Sequence, residues 1–427
     1  MNIIERGRRF VESLRELASR SVRDWRRCPR CGSTITRKNG TYTRHPWTFE
    51  GRQEVRVQRH LCHGCRRTYS DGSALLVPGS WYAREVHRCA IDHWQHVGSS
   101  LRRTAEWLRS CMGRQERWWI WRPLEERGEK RCHLSASTVQ RWVDRVGRVA
   151  QGIVRGQLEG IGHYLHLGTD GLWARLRGGA KRVVLMLVDS VSGLLWPPVV
   201  EAGEGSRKSW QRLFERAKEA GLNLEAIGAV TSDGAHGLVG YLRESLAWVH
   251  HQRCVWHLWR NLGRGLACQA SKAAAGLEGE AAKRVGQQVR KELVALIHGV
   301  LDAQSHEQGE ASLAALRQHP HGARIWKLLN QQFDAALMHL LDRHRGLARV
   351  TPEWCWRDFR QRLSHGRNHG SNQRLERAAL VWAIYHNFTP AQWRSERKRH
   401  YRRPGQSALE VAGAPPGQVS YLDALCV

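Results

Sequence analysis

Two CxxC pairs near one end constrain this chain most: Cys28-Pro-Arg-Cys31 and Cys62-His-Gly-Cys65. Each spacing closes a tight turn that aims two thiolates at one point. Two such turns make a tetrahedral sulfur site, which suits zinc. Gly32 follows the first pair, where a turn of this kind favours positive φ. Between the pairs, Arg52–Gln58 alternates and reads as a strand. The expectation is a zinc ribbon over 28–75 with structural Zn²⁺ on Cys28, Cys31, Cys62 and Cys65. So small a unit has too little core to fold without metal. His63 is read as a passenger, because four thiolates complete the site. The other seven of the 11 cysteines are single and no βαβ pattern flanks either pair, which argues against a disulfide framework or a thioredoxin-like redox site.

Charge narrows the partner. The 427 residues hold 68 Lys/Arg against 39 Asp/Glu, a formal net charge of +29 with a pI near 10.7. Residues 1–150 alone hold 31 Lys/Arg against 15 Asp/Glu. A polyanion is implied, nucleic acid before an anionic membrane. The apolar run Val183–Val188 stops at Asp189, far short of the ~20 residues of a spanning helix. Met1–Leu17 mixes Glu and Arg without an apolar stretch, which is not the pattern of a signal peptide.

Along the chain, 1–27 reads as an amphipathic helix through Ile4, Phe10, Leu14 and Leu17, and 80–150 as helices rich in Arg and Trp. Leu101–Leu108 and Leu134–Val143 form a helix-turn-helix-like pair with a long connection. Ser135 or Ser137 would cap the second helix, with Val139, Trp142 and Val143 inward. Gln140 and Arg141 then lie outward, where a recognition helix meets base edges. A plain helical hairpin is the alternative.

From 160 to 261 the pattern changes to β-β-β-α-β-α-β: strands to Asp170, over Arg182–Asp189 and Gly193–Val200, helix Ser206–Ala220, a strand to Asp233, helix Gly237–Ser245 and strand Ala247–Val255. This is the ribonuclease-H-like order, in which the first and fourth strands are neighbours. Asp170 and Asp233 each end a strand and precede Gly, so the order sets them side by side. Residues 262–365 read as all-helical. Glu376 follows in a helix begun by Ser371 or Asn372, with Leu375, Ala379, Trp382 and Tyr385 or His386 as its buried stripe. Three clustered carboxylates need divalent cations to ionise together. Two Mg²⁺ (or Mn²⁺) are expected on Asp170, Asp233 and Glu376. Asp189 also ends a strand, but before a Val191-Ser-Gly hairpin turn, where Asp is ordinary.

The runs Thr231-Ser-Asp-Gly-Ala-His-Gly-Leu and Gln252-Arg-Cys-Val-Trp-His-Leu-Trp-Arg-Asn261 resemble the signature of Mutator-like transposases, including bacterial insertion-sequence enzymes. In that family a Cys-x-x-His pair follows the second catalytic Asp, matched by Cys254 and His257, and the last Glu lies in Asn-x-x-x-Glu, matched by Asn372 and Glu376. The resemblance spans about 165–390. It implies a DDE transposase with catalytic Asp170, Asp233 and Glu376, an all-helical insertion at 262–365 and a final core helix at 366–390; beyond it, 391–427 reads by composition as a basic tail, strongest over 394–403. It further implies binding to terminal inverted repeats and target DNA, a homo-oligomer on DNA, and a nucleoid-associated, cytoplasmic setting in a prokaryote. Cys254 and His257 either support that site or are a core Cys and a hydrogen-bonded His. A non-enzymatic, transposase-derived zinc-ribbon regulator is the competing class.

Overall fold

The computed structural model describes residues 26–71, 75–112, 134–153, 158, 161, 165–344, 346–351, 357, 359–360, 369–390, 405–414 and 421–425. The helix expected over 1–27 lies outside these but for its last two residues, and the basic stretch 394–403 lies outside them altogether. The chain divides into two compact units. Met1–Ile161, Ala174–Arg182 and Arg357–Val427 make the first, and Gly162–Trp173 with Val183–Trp356 the second.

The first unit opens with a three-stranded antiparallel sheet of β1 (Thr36–Arg44), β2 (Val55–Cys62) and β3 (Thr68–Ser70), with β2 in the middle. The register slips between Lys38 and Thr41, where Gly40 takes φ +77° and absorbs a bulge. Helices α1 (Arg84–His96), α2 (Leu101–Met112) and α3 (Ala136–Ile153) follow. Ser135 caps α3, its Oγ accepting the Thr138 N–H at 3.2 Å. Val139, Trp142, Val143, Val146 and Ala150 recur at helical spacing and are buried, with Trp142 against the His87 ring at 3.9 Å.

A far segment completes this core. Helix α11 (Asn372–Phe388) packs along α3. Ser371 caps it, accepting the Arg374 N–H at 3.3 Å. The two helices approach closely at Gly147: a Cβ there would collide with the Arg377 Cβ and lie 3.1 Å from its Cα. This docking corrects one expectation. Gln140 does not face outward. It is 8 % exposed and donates to Asp144 at 3.3 Å, and Asp144 in turn pairs with Arg374 of α11 at 3.3 Å. Positions 140, 144 and 147 form one stripe at i, i+4, i+7, and α11 occupies it. Arg141 does lie outward, bonded to Thr138 at 3.1 Å.

The second unit is built on a five-stranded sheet. Its strands are β4 (His166–Arg175), β5 (Lys181–Asp189), β6 (Val199–Glu201), β7 (Ala229–Ser232) and β8 (His250–Arg253), in the order β8-β7-β4-β5-β6. The tip of the β4–β5 hairpin counts with the first unit. β8, β7 and β4 run parallel, while β6 is antiparallel to β5. Val183–Val188 is buried throughout, as an unbroken apolar run on a strand covered on both faces should be. Helices α4 (Arg207–Glu219) and α5 (His236–Ser245) link the strands, giving the expected β-β-β-α-β-α-β order. The strand expected over Gly193–Val200 shrinks to Val199–Glu201 because Pro197 and Pro198 cannot donate to a ladder.

After β8 every described element up to His344 is helical. α6 (Val255–Ala273), α7 (Gly279–Leu301), α8 (His306–Gln318), α9 (Ala323–Asn330) and α10 (Phe333–Leu337) share one core, through Leu262, Leu293, Ile297, Leu316, Ile325 and Phe333.

Candidate functional site

The parallel register between β4 and β7 pairs His166 with Ala229, Leu167 with Val230 and Gly168 with Thr231, an offset of 63 residues (229 − 166). Asp233 lies the same 63 residues beyond Asp170. The two carboxylates therefore stand level: Asp170 does not end its strand as expected, because β4 runs on through the hairpin arm to Arg175, but it lies beside the carboxyl end of the adjacent parallel β7, where Asp233 stands. This is the edge of an open α/β sheet at which ligands bind. Asp170 is buried and its Oδ1 accepts the Gly171 N–H at 2.8 Å. Asp233 is half-buried and accepts the Ala235 N–H at 3.0 Å. Gly234 holds φ +79°, so the Asp-Gly turn can form without strain.

His257, in the first turn of α6, brings its Nε2 to 3.9 Å from the Asp170 Oδ2. Cys254 does a different job. It is buried at the start of α6, its N–H bonded to the Ser232 carbonyl at 2.7 Å and its sulfur accepting the Thr351 N–H at 3.4 Å. Cys254 thus ties the helix start to β7, and His257, one turn on, meets the carboxylate.

Sequence reasoning missed Glu204. It follows β6 in Glu201-Ala-Gly-Glu204-Gly, and a Cβ on Gly171 would collide with its Oε2. Burial raises its carboxyl pKa first, and the Asp233 charge raises it further. The Trp173 indole donates to it at 3.4 Å. The only available signal was its place just past a strand end, the pattern that singled out Asp170 and Asp233. Arg253, in the Gln252–Asn261 run, lies with its guanidinium against Gly234.

Hard carboxylate oxygens at one sheet edge, where burial and then the Asp233 charge raise the Glu204 pKa, are the donor chemistry that Mg²⁺ takes. Glu376 and Asn372 lie on α11 in the other unit. Asn372 Oδ1 accepts from the Arg182 Nε at 2.8 Å, and Glu376 is partly buried beside Leu375.

In the first unit Cys28, Cys31, Cys62 and Cys65 place all four sulfurs within 4.8 Å of one another. Cys28–Cys65 and Cys31–Cys62 stand 3.6 and 3.5 Å apart. A Zn–S bond of about 2.3 Å implies tetrahedral S–S edges of about 3.8 Å. The two turns are copies. The Cys28 N–H bonds to the Ser33 carbonyl and the Cys62 N–H to the Arg67 carbonyl, and Gly32 and Arg66 both take positive φ. The backbone N–H groups of Arg30 and Cys31 hold the Cys28 thiol down to about 6. The Cys65 N–H likewise lowers Cys62. Cys28 and Cys62 are thereby favoured as thiolates while Cys31, beside the Cys62 sulfur, is pushed up to about 11, and the four sulfurs together can hold a structural zinc ion.

Residues 129–276 match the family model described as Transposase, Mutator family. The matched stretch runs through α3, the Asp170 and Asp233 strands and the start of the helical region. This part of the chain is similar to Mutator-family transposases, which supports a transposase function and, with it, a DNA partner and a DNA-modifying activity in general. No curated protein matches the chain. Among the described residues no helix is long and apolar enough to cross a membrane.

Proposed function

We propose that this chain is a DDE transposase of an insertion sequence, with a ribonuclease-H-like core. The level placement of Asp170 and Asp233 within the matched Mutator region carries the reading. Glu376 is the third carboxylate by its Asn372-x-x-x-Glu376 spacing. Residues 28–75 are a zinc ribbon, 80–150 help the basic end find terminal inverted repeats, and 262–365 are the helical insertion. The protein acts as an oligomer on paired ends.

Asp170, Asp233 and Glu376 would hold Mg²⁺, which supplies charge neutralisation at the reacting phosphate and an acidified water. His257 keeps the Asp170 carboxylate oriented. Cleavage adds water across a P–O bond and frees a 3′-hydroxyl. That hydroxyl attacks a target phosphodiester, forming one P–O bond as another breaks and releasing the target's own 3′-hydroxyl. The test is strand cleavage, with Mg²⁺ or Mn²⁺, of duplexes carrying the sequences that flank the gene. Asp170→Asn and Asp233→Asn should each lower the rate by roughly 10³-fold or more while DNA binding persists. Folded, DNA-bound wild-type protein that cleaves nothing would overturn the reading in favour of a binding protein.

A further inference from the structure

Trp256, the second residue of α6, is 45 % exposed. Trp259, one turn on, shows what a structural tryptophan on this helix does: it packs on the helical core and lies 4.8 Å from the His298 ring. Trp256 points away from that core. Its ring lies against its own helix, with the His257 imidazole edge-on at 4.7 Å and the Arg260 guanidinium at 5.7 Å. The mount is fixed on both sides. The Cys254 N–H bonds to the Ser232 carbonyl at 2.7 Å, and the Val255 N–H to the Arg349 carbonyl at 2.9 Å. The position is next to the candidate site, because the His257 Nε2 is 3.9 Å from the Asp170 Oδ2. One imidazole separates the indole from the carboxylate.

The same face continues as cation. Arg260 and Arg264 follow Trp256 at i+4 and i+8 and are exposed, and neither has an acidic partner among the described residues. α6 carries three Lys/Arg (Arg260, Arg264 and Lys272) and no Asp or Glu. A half-exposed indole followed by unpaired guanidinium groups is the surface that single-stranded nucleic acid takes, bases on the ring and phosphates on the charges. Inside a paired duplex both faces of a base are covered by its neighbours, so an indole stacks on a base only when that base has left the stack.

We propose that Trp256 stacks on a base drawn out of the DNA duplex next to the phosphodiester cleaved at Asp170, with Arg260 and Arg264 against phosphates of the same strand. The extruded base loses its neighbours, and the indole covers one of its faces again. The inference rests on the transposase reading for which nucleotide this is, not for the stacking itself. Trp256 touches the site through His257 alone, so it is a positioning residue and takes no part in the chemistry.

Two measurements on the full chain test it. In the first, 5-iododeoxyuridine is placed at one position at a time along a duplex that carries a flank of the gene and ends in an unpaired tail. Irradiation crosslinks the iodinated base to an aromatic ring stacked on it, and peptide mapping should find Trp256. A scan of every position that never yields Trp256 overturns the proposal. In the second, cleavage is compared on a paired duplex and on one with an abasic site at the crosslinked position. Trp256→Ala should lower the rate on the paired duplex roughly 10-fold or more, with Trp256→Phe, which keeps a smaller ring, between it and wild type. On the abasic duplex the three should converge. Trp248→Ala is the control: Trp248 is 49 % exposed but precedes β8, at the opposite edge of the sheet, and its loss should leave cleavage unchanged. A folded Trp256→Ala that cleaves like wild type, or an equal loss for Trp248→Ala, overturns the proposal. If Trp256→Ala does not fold, the comparison of Trp256→Phe with wild type on the two duplexes decides. If wild type itself cleaves nothing, the transposase reading fails, while the crosslink still decides whether Trp256 takes a base.

Discussion

Asp189 closes β5 with its side chain fully buried, its Oδ2 accepting the N–H and hydroxyl of Ser192. The sequence marked it as an ordinary hairpin Asp, and the turn is there: the Gly193 N–H bonds back to the Asp189 carbonyl at 2.8 Å. Its complete burial was not legible, because nothing local reports what covers a turn. The consequence is a separation of roles. Asp189→Asn should weaken a buried charge-assisted network by about 1–3 kcal/mol and lower Tm. The folded fraction should cleave as wild type does, unlike Asp170→Asn. Equal loss of cleavage per folded molecule would mean that Asp189 takes part in the chemistry.

At the scale of elements, strands and helices were legible wherever periodicity was unbroken and ends were marked by Ser or Pro; Asp-Gly marked the end of β7 at Asp233 but not of β4, which runs past Asp170 to Arg175. The level placement of Asp170 and Asp233 followed from strand order alone. Gln140 was not legible. Its helix reads as exposed on that face until α11, more than 200 residues later in the sequence, covers it. Gly147 marks the contact. In an open helix Gly→Ala gains about 1 kcal/mol. Here the added methyl meets the Cβ and backbone of Arg377, which no rotamer change relieves, so Gly147→Ala should cost about 1–3 kcal/mol net. Denaturant titration gives the sign directly, and a stabilised variant would refute the contact. The cysteine module makes a matching prediction. Elemental analysis of the reduced, folded protein should find one Zn²⁺ per chain. Cys62→Ser should lose it and with it the order of β1–β3, leaving the five-stranded sheet folded.

Across the whole molecule, buried histidines set an acid limit. Burial holds His87 down to about 3, and His251, His339, His344 and His369 to about 4. All lie below the ordinary value near 6.5, so the unfolded chain binds these protons first as pH falls. Their contribution is whole above about pH 6.5 and drains away towards pH 4. His87 and His369 lie in one unit and the other three in the second, so both should weaken. Tm should be level above pH 7 and fall steadily between pH 6.5 and 4.5, before most carboxylates titrate. A flat profile across that window would contradict the burial of these rings.

The division into units follows neither half of the chain. The backbone passes between them at 161/162, 173/174, 182/183 and 356/357. In the first unit the hairpin tip meets residues from near the far end: the Arg177 N–H bonds to the His369 carbonyl at 3.1 Å and Arg182 to Asn372 at 2.8 Å. For the history of such a gene this interleaving is restrictive. Recombination exchanges contiguous stretches of coding sequence, and no contiguous stretch here encodes either unit. A crossover between diverged copies would pair a tip from one parent with an α11 from the other. Lineages of this protein should therefore descend as wholes, with mosaics surviving only where both sides of each such pairing were inherited together.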